Sequence, residues 1–216
     1  TLPLTLFPYT TLFRSASNQN FDKETTTKTG LENLDVLNGV DLQSEEIAWI
    51  TGSDVNFCAQ AFPTVGYDHP DAPILTVLGA VLRNGFLHSA IREKGGAYGS
   101  GAQQDSASRS FRFFSYRDPN CMETFNAFNE SIEWPLKSIN SEKLEEGILG
   151  VISSIDKPGS PAGEARADFN QTIRGIDQSK RKIFRSRVIN CSVESLVEVS
   201  KKYLTGEPKR SVISGK

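Results

Sequence analysis

The chain has 216 residues, of which 38% are hydrophobic, and a formal net charge of −2. That is material for one large domain or two small ones with a real core, and it argues against charge-driven nucleic-acid binding by the chain as a whole. No apolar run stands out as a bilayer span, so no membrane partner is expected, and the three widely spaced cysteines (Cys58, Cys121, Cys191) lack a C-x-x-C pair, which points to thiols in a reducing compartment and not to a disulfide framework or zinc cluster.

The segment Thr5 to Ser15 reads as the translation of a sequencing adapter, so residues 1–15 are set aside as an artefact. The other reading, a short hydrophobic leader, lacks a basic start and a small-residue cleavage site. Residues 16–45, rich in Thr, Asn, Asp and Lys, are expected to be a linker or lead-in, and the folded domain is expected over 46–216. Ile47 to Ile50 is a short strand candidate. Val55 to Phe62 alternates apolar with small or polar residues, the pattern of a half-buried strand. Tyr67 to Asp71 forms a loop and helix start, with Pro73 tolerated in the first turn. Ile74, Val77, Leu78, Val81 and Leu82 then recur at helical spacing, predicting a core-facing helix to about Lys94 that Gly95-Gly96 stops.

Ala97 to Gln104 and Arg109 to Arg117 predict a hairpin, the second arm rich in strand-favouring aromatics. Phe111, Phe113 and Tyr116 are read there as core and not as a substrate platform. Asp118-Pro119 is read as an N-cap followed by Pro at the first helical position, opening a helix to about Lys137 that Pro135 distorts. Further helices are expected over 141–156, 161–174, 177–190 and 192–204, with a last edge strand over Ser211 to Ser214. Strand pairs separated by a long helix and followed by a helical end predict an α+β domain, a largely antiparallel sheet with helices packed on one face.

His69 and His88 are the two histidines, nineteen positions apart. No H-x-x-E-H, H-E-x-x-H, G-x-S-x-G, P-loop or dinucleotide fingerprint is present. The chain by itself therefore lacks a complete catalytic constellation, and no metal ligand set is expected in it. The distinctive stretch is Arg92-Glu93-Lys94-Gly95-Gly96-Ala97-Tyr98-Gly99. A guanidinium and a phenol flank a diglycine reversal, and both donate hydrogen bonds that could hold a peptide carbonyl and its developing oxyanion. From spacing alone, a dipole-offsetting arginine and a packed tyrosine fit as well. A phosphate cradle fits poorly, because these glycines follow a helix C-terminus and phosphates favour N-termini. The basic run Lys180, Arg181, Lys182, Arg185, Arg187 reads as a solvated helix face. His69 reads as a loop hydrogen-bonding group, His88 as a packed or capping residue, and Gly85 and Phe86 as packing positions.

Three motifs in order, Arg92 to Gly99, Phe114-Ser115-Tyr116-Arg117-Asp118-Pro119-Asn120 and Asp156-Lys157-Pro158-Gly159-Ser160-Pro161-Ala162-Gly163-Glu164-Ala165, resemble the last domain of presequence proteases. These are insulinase-like (pitrilysin) zinc metallopeptidases. Asp68-His69-Pro70-Asp71-Ala72 fits as well, and the resemblance covers roughly 46–216. It implies a metallohydrolase-like domain of the pitrilysin family, the C-terminal part of an enzyme whose zinc site lies on an N-terminal domain of the same polypeptide. It further implies that Arg92 and Tyr98 grip the substrate backbone, with Gly95, Gly96, Ala97 and Gly99 against the substrate. The implied substrates are unfolded peptides and the implied cofactor is zinc in the full-length enzyme, with none held by this chain. The implied compartment is cytoplasmic for a bacterial parent and mitochondrial or plastid for a eukaryotic one. A non-catalytic scaffold or partner subunit of the same family is the alternative.

Overall fold

The computed structural model describes residues 47–214, so the expectations for 1–15 and 16–45 lie outside the described residues. Five strands form one sheet: β1 (Ile47–Ile50), β2 (Asn56–Pro63), β3 (Gly99–Asp105), β4 (Ser110–Asp118) and β5 (Lys209–Ser214), in the order β1-β5-β2-β4-β3. The β5–β2, β2–β4 and β4–β3 pairs are antiparallel and β1 pairs with β5 in parallel, so the sheet is largely antiparallel. The final strand is not the edge expected from sequence. It is inserted between β1 and β2, and β1 takes the outer position.

Between β2 and β3 runs one continuous helix in two parts: α1 (Asp71–Leu82), then a π-wound half over Arg83–Lys94. The hairpin β3–β4 forms as predicted. After it come α2 (Met122–Glu133), the short α3 (Pro135–Ser138), α4 (Ser141–Ile155), α5 (Pro161–Ile173), α6 (Gln178–Ile189) and α7 (Val193–Tyr203). Pro135 ends α2 and starts a new turn, because its missing N–H and ring break the helical ladder.

The start of α2 corrects the sequence expectation. Asp118 does not cap a helix opened by Pro119. It closes β4, fully buried, and its carboxylate accepts from the Asn120 backbone N–H at 2.9 Å and the Thr124 hydroxyl at 2.7 Å. The helix begins four residues later, after Cys121. Two later helices open on side-chain caps: Ser160 accepts from Gly163 N–H, and Ser192 and Ser195 form a reciprocal capping box.

The core lies between the helices and one face of the sheet. Phe62 of β2 and Phe111 and Phe113 of β4 meet Leu75, Leu78 and Leu82 of α1, Phe128 of α2, Val188 of α6 and Leu196 of α7. Each such side chain contributes about 1.5–3 kcal/mol by leaving water. One polar side chain buried beside them, Gln60, is satisfied: its Nε2–H donates to Asn129 Oδ1 at 3.1 Å, and Arg210 Nε–H donates to its Oε1 at 2.8 Å. α1 sits at the centre, packed on β3 and against α4, α6 and α7. Here the structure qualifies the sequence reading of membrane spans. Asp71–Lys94 is a helix of 24 residues containing an 18-residue stretch with a mean hydropathy of 1.4, long and apolar enough to cross a bilayer by length and composition. In this fold Leu75, Val77, Leu78, Val81, Leu82, Leu87 and Ile91 are buried in the core.

The other sheet face is open. Along β2 and β4 the burial alternates, with Cys58, Gln60, Phe62, Phe111 and Phe113 inward and Phe57, Ala59, Arg112 and Tyr116 outward. The register places Trp49, Ile213 and Phe57 side by side across β1, β5 and β2, and all three are exposed.

Candidate functional site

The diglycine bend joins the π-wound helix to β3. Gly96 has φ of +78°, the left-handed conformation that favours glycine. Its N–H donates to the Arg92 carbonyl and the Ala97 N–H to that of Ile91, both at 3.1 Å. Each bond spans one residue more than in the usual Schellman end, as the wider π winding requires. The Gly95 carbonyl is held from outside the helix by the Asn120 side-chain amide at 2.6 Å. The bend is thus pinned by the end of its own helix and by the segment that follows β4.

Tyr98 follows the bend and is 64% exposed, yet it is not loose. Its backbone N–H donates to the Arg117 carbonyl at 3.2 Å. The Tyr116 ring lies 5.6 Å from its own, and the Arg117 guanidinium stands 5.5 Å from its centroid. A β-bulge makes this possible. Between the Asn56–Asp118 and Cys58–Ser115 pairs, β4 carries Tyr116 and Arg117 opposite the single residue Phe57. Arg117 takes a positive φ of 49° there, and both bulge residues are exposed. Tyr116 pairs with Gly99, and its ring occupies the space that a side chain at Gly99 would need. Phe114 covers Gly101 in the same way.

Arg92 lies on the exposed side of the π-wound half. Its guanidinium donates to His88 Nε2 at 3.3 Å, so the ring proton of a neutral His88 belongs on Nδ1, which faces Glu93 Oε1 at 3.5 Å. His88 is therefore a surface residue that orients Arg92; of the two readings offered by the sequence, packed or capping, the packed one does not hold. Among the described residues no hydrogen bond links Arg92 to Tyr98, and neither is sealed in the core. Of the four small residues between and after them, Gly96 is exposed, Gly95 half-buried, and Ala97 and Gly99 buried.

Sequence reasoning missed Tyr116 and Arg117 as site residues and assigned Tyr116 to the core. The signal was the second family-like motif, in which they stand adjacent, but their shared outward direction depends on the bulge. Gly85 and Phe86 pack against Trp134 as expected, and Phe111 and Phe113 are core. The basic face of α6 is partly neutralised: Lys180 pairs with Asp68 at 2.9 Å and Arg185 with Asp156 at 2.6 Å. His69 receives the Asp71 backbone N–H on Nδ1 at 3.1 Å. Among the described residues no group of three His, Cys, Asp or Glu side chains converges, so zinc does not fit the donors present here.

The sheet and helix arrangement is that of the pitrilysin-type peptidase domains. The M16 peptidase inactive domain from Pseudomonas fluorescens superposes with a TM-score of 0.62 at 17% identity, over 80% of this chain and 43% of that one. The family model of the presequence protease C-terminal domain matches residues 51–209, and the chain belongs to that family. The mitochondrial presequence protease of Danio rerio is 35% identical over 152 residues, and that of Drosophila melanogaster 38% over 151. These alignments cover 70% and 68% of this chain but 14% of each relative, so the matched region is about one seventh of the curated proteins.

Proposed function

We propose that residues 46–216 form the substrate-gripping C-terminal domain of a zinc metalloendopeptidase that degrades unfolded peptides. The observation that carries this reading is the presentation of Tyr98. Its phenol is exposed while its ring is held by Tyr116 and Arg117 and its backbone by Arg117, so the O–H is preorganised. Arg92, steadied by His88, offers a second donor on the other side of the bend. Donors fixed before reaction lower the barrier because no reorganisation is needed as charge develops on a carbonyl oxygen. In this reading Arg92 and Tyr98 hold the substrate carbonyl and the oxyanion that grows on it, and Gly96 lets the chain approach closely. The zinc and its ligands are assigned to N-terminal domains of the same polypeptide.

The open sheet face supports the same reading. Trp49, Ile213, Phe57, Tyr116 and Tyr98 present apolar surface that a chamber wall facing an unfolded peptide would use. The curated relatives are named mitochondrial, and we extend that compartment to the parent of this chain.

In the full-length polypeptide, Tyr98→Phe and Arg92→Ala should each lower kcat on an unfolded peptide by roughly 10²–10³-fold, the cost of losing one oxyanion donor. Zinc content, read by metal analysis, should stay at the wild-type level. Wild-type turnover by both variants would overturn the gripping role and leave the domain a non-catalytic scaffold.

A further inference from the structure

At the end of the long helix opposite the diglycine bend lies a cleft of about 720 Å³. Three segments contribute to it: the loop 66–70 ahead of α1, the turn 106–109 between β3 and β4, and the turn 174–176 between α5 and α6. Lys180 of α6 ties two of them together. Its Nζ donates to Asp68 Oδ2 and to the Gly175 carbonyl, both at 2.9 Å, so the loop and the later turn are fixed against each other.

Two guanidiniums line this cleft, Arg109 from the hairpin turn and Arg174 from the C-cap of α5. Both residues are exposed, and among the described residues neither side chain has a hydrogen-bond or ion-pair partner. Arg112 and Arg185, by contrast, pair with Asp105 at 2.9 Å and Asp156 at 2.6 Å. Arg109 has a φ of 52°, a left-handed slot that turns commonly give to glycine or asparagine. Its Nε lies over the Gly66 backbone, 3.7 Å from where a Cβ on that glycine would stand. Neither turn chemistry nor an ion pair accounts for an arginine at this position. His69 adds a third donor: its Nδ1 accepts the Asp71 N–H, so the neutral ring keeps its proton on Nε2.

Two guanidiniums without partners suit an oxyanion. The rest of the lining selects which kind. Tyr67, whose ring stacks on Phe184 at 4.6 Å, lies beside Pro70 and the buried Ile176 and gives the cleft an apolar floor. That floor, and a volume in the range of organic-ligand sites, fit an anion carried on a carbon chain. The Asp68 carboxylate, held by Lys180, also lines the cleft and favours a single negative charge over a doubly charged phosphate. We propose that this cleft binds the terminal carboxylate of an unfolded peptide, with Arg109 and Arg174 on the carboxylate and the last side chain over Tyr67, Pro70 and Ile176. The cleft takes its ligand class, a peptide, from the function proposed above, but uses neither Arg92 nor Tyr98.

The test titrates the 216-residue chain with a short N-acetylated peptide ending in leucine, as the free acid and as the C-terminal amide, by isothermal titration calorimetry. The acid should bind roughly 10-fold tighter than the amide, the share of one charge-assisted contact, and added salt should weaken the acid alone. Arg109→Gln and Arg174→Gln should each remove most of that preference. Both positions are exposed, so the variants should melt close to the wild type. Inorganic phosphate at equal concentration should not displace the acid. Equal binding of acid and amide, an acid preference that survives both substitutions, or displacement by phosphate would overturn the assignment. Because binding is read and not turnover, such a result would leave the gripping role of Arg92 and Tyr98 standing.

Discussion

Gly96 shows how one residue's backbone fixes the site. Its φ of +78° turns the chain from the helix into β3, and a side chain there would meet only Pro119 at ordinary contact distance. The penalty for alanine is therefore conformational and not steric, about 1–2 kcal/mol. Gly96→Ala should lower the melting temperature by roughly 2–8 °C in calorimetry, with the fold retained. Gly99 differs: a side chain there would collide with the Tyr116 ring, so its smallness serves the packing that holds Tyr98. Tyr98 and Arg92 were legible in the sequence because a phenol and a guanidinium around two glycines stand out locally. Tyr116 and Arg117 were not, because only the pairing of β4 with β2 creates the bulge that turns both outward.

At the scale of elements, Asp71 ties the first turn of α1 to the end of α7. Lys202 Nζ and the Tyr203 hydroxyl both donate to its Oδ2 at 2.7 Å. Burial alone would raise its carboxyl, but those two donors, with Lys202 adding its charge, outweigh it and hold the group below the usual range. A depressed folded value means that stability is fully present above the unfolded value of about 4 and is lost as pH falls through the folded one. Asp71→Asn should destabilise the chain by about 1.5–3 kcal/mol at neutral pH. In urea titrations from pH 7 to pH 2 the gap between variant and wild type should close below about pH 4. A gap that persists unchanged at pH 2 would show that the carboxylate charge is not its source. The helices carrying such ties were predictable from apolar spacing and caps. The misread start of α2 was not, since Asp-Pro makes the same local capping signal whether the aspartate caps a helix or, as here, is buried to receive Thr124.

For the whole molecule, the uncovered sheet face is one exposed apolar surface among the described residues. Trp49 and Ile50 on the outer strand, with Ile213 paired to Trp49, expose apolar area of the kind that promotes association. Trp49→Thr with Ile50→Thr should change unfolding free energy by no more than about 1 kcal/mol, as for two surface substitutions. The same pair should reduce self-association of the 216-residue chain, read by light scattering. Unchanged scattering would place the sticky surface elsewhere.

Period and alternation in the sequence determined the main strands and helices, the α+β class and the family-like motifs, because each depends on neighbours within a few positions. The tertiary structure alone decided three things. It inserted β5 inside the sheet, wound Arg83–Lys94 as a π-helix, and brought Tyr116 to Tyr98. Each of these follows from how strands far apart in the chain pair and how the helix ends pack on them. Local residue preferences do not encode such pairings.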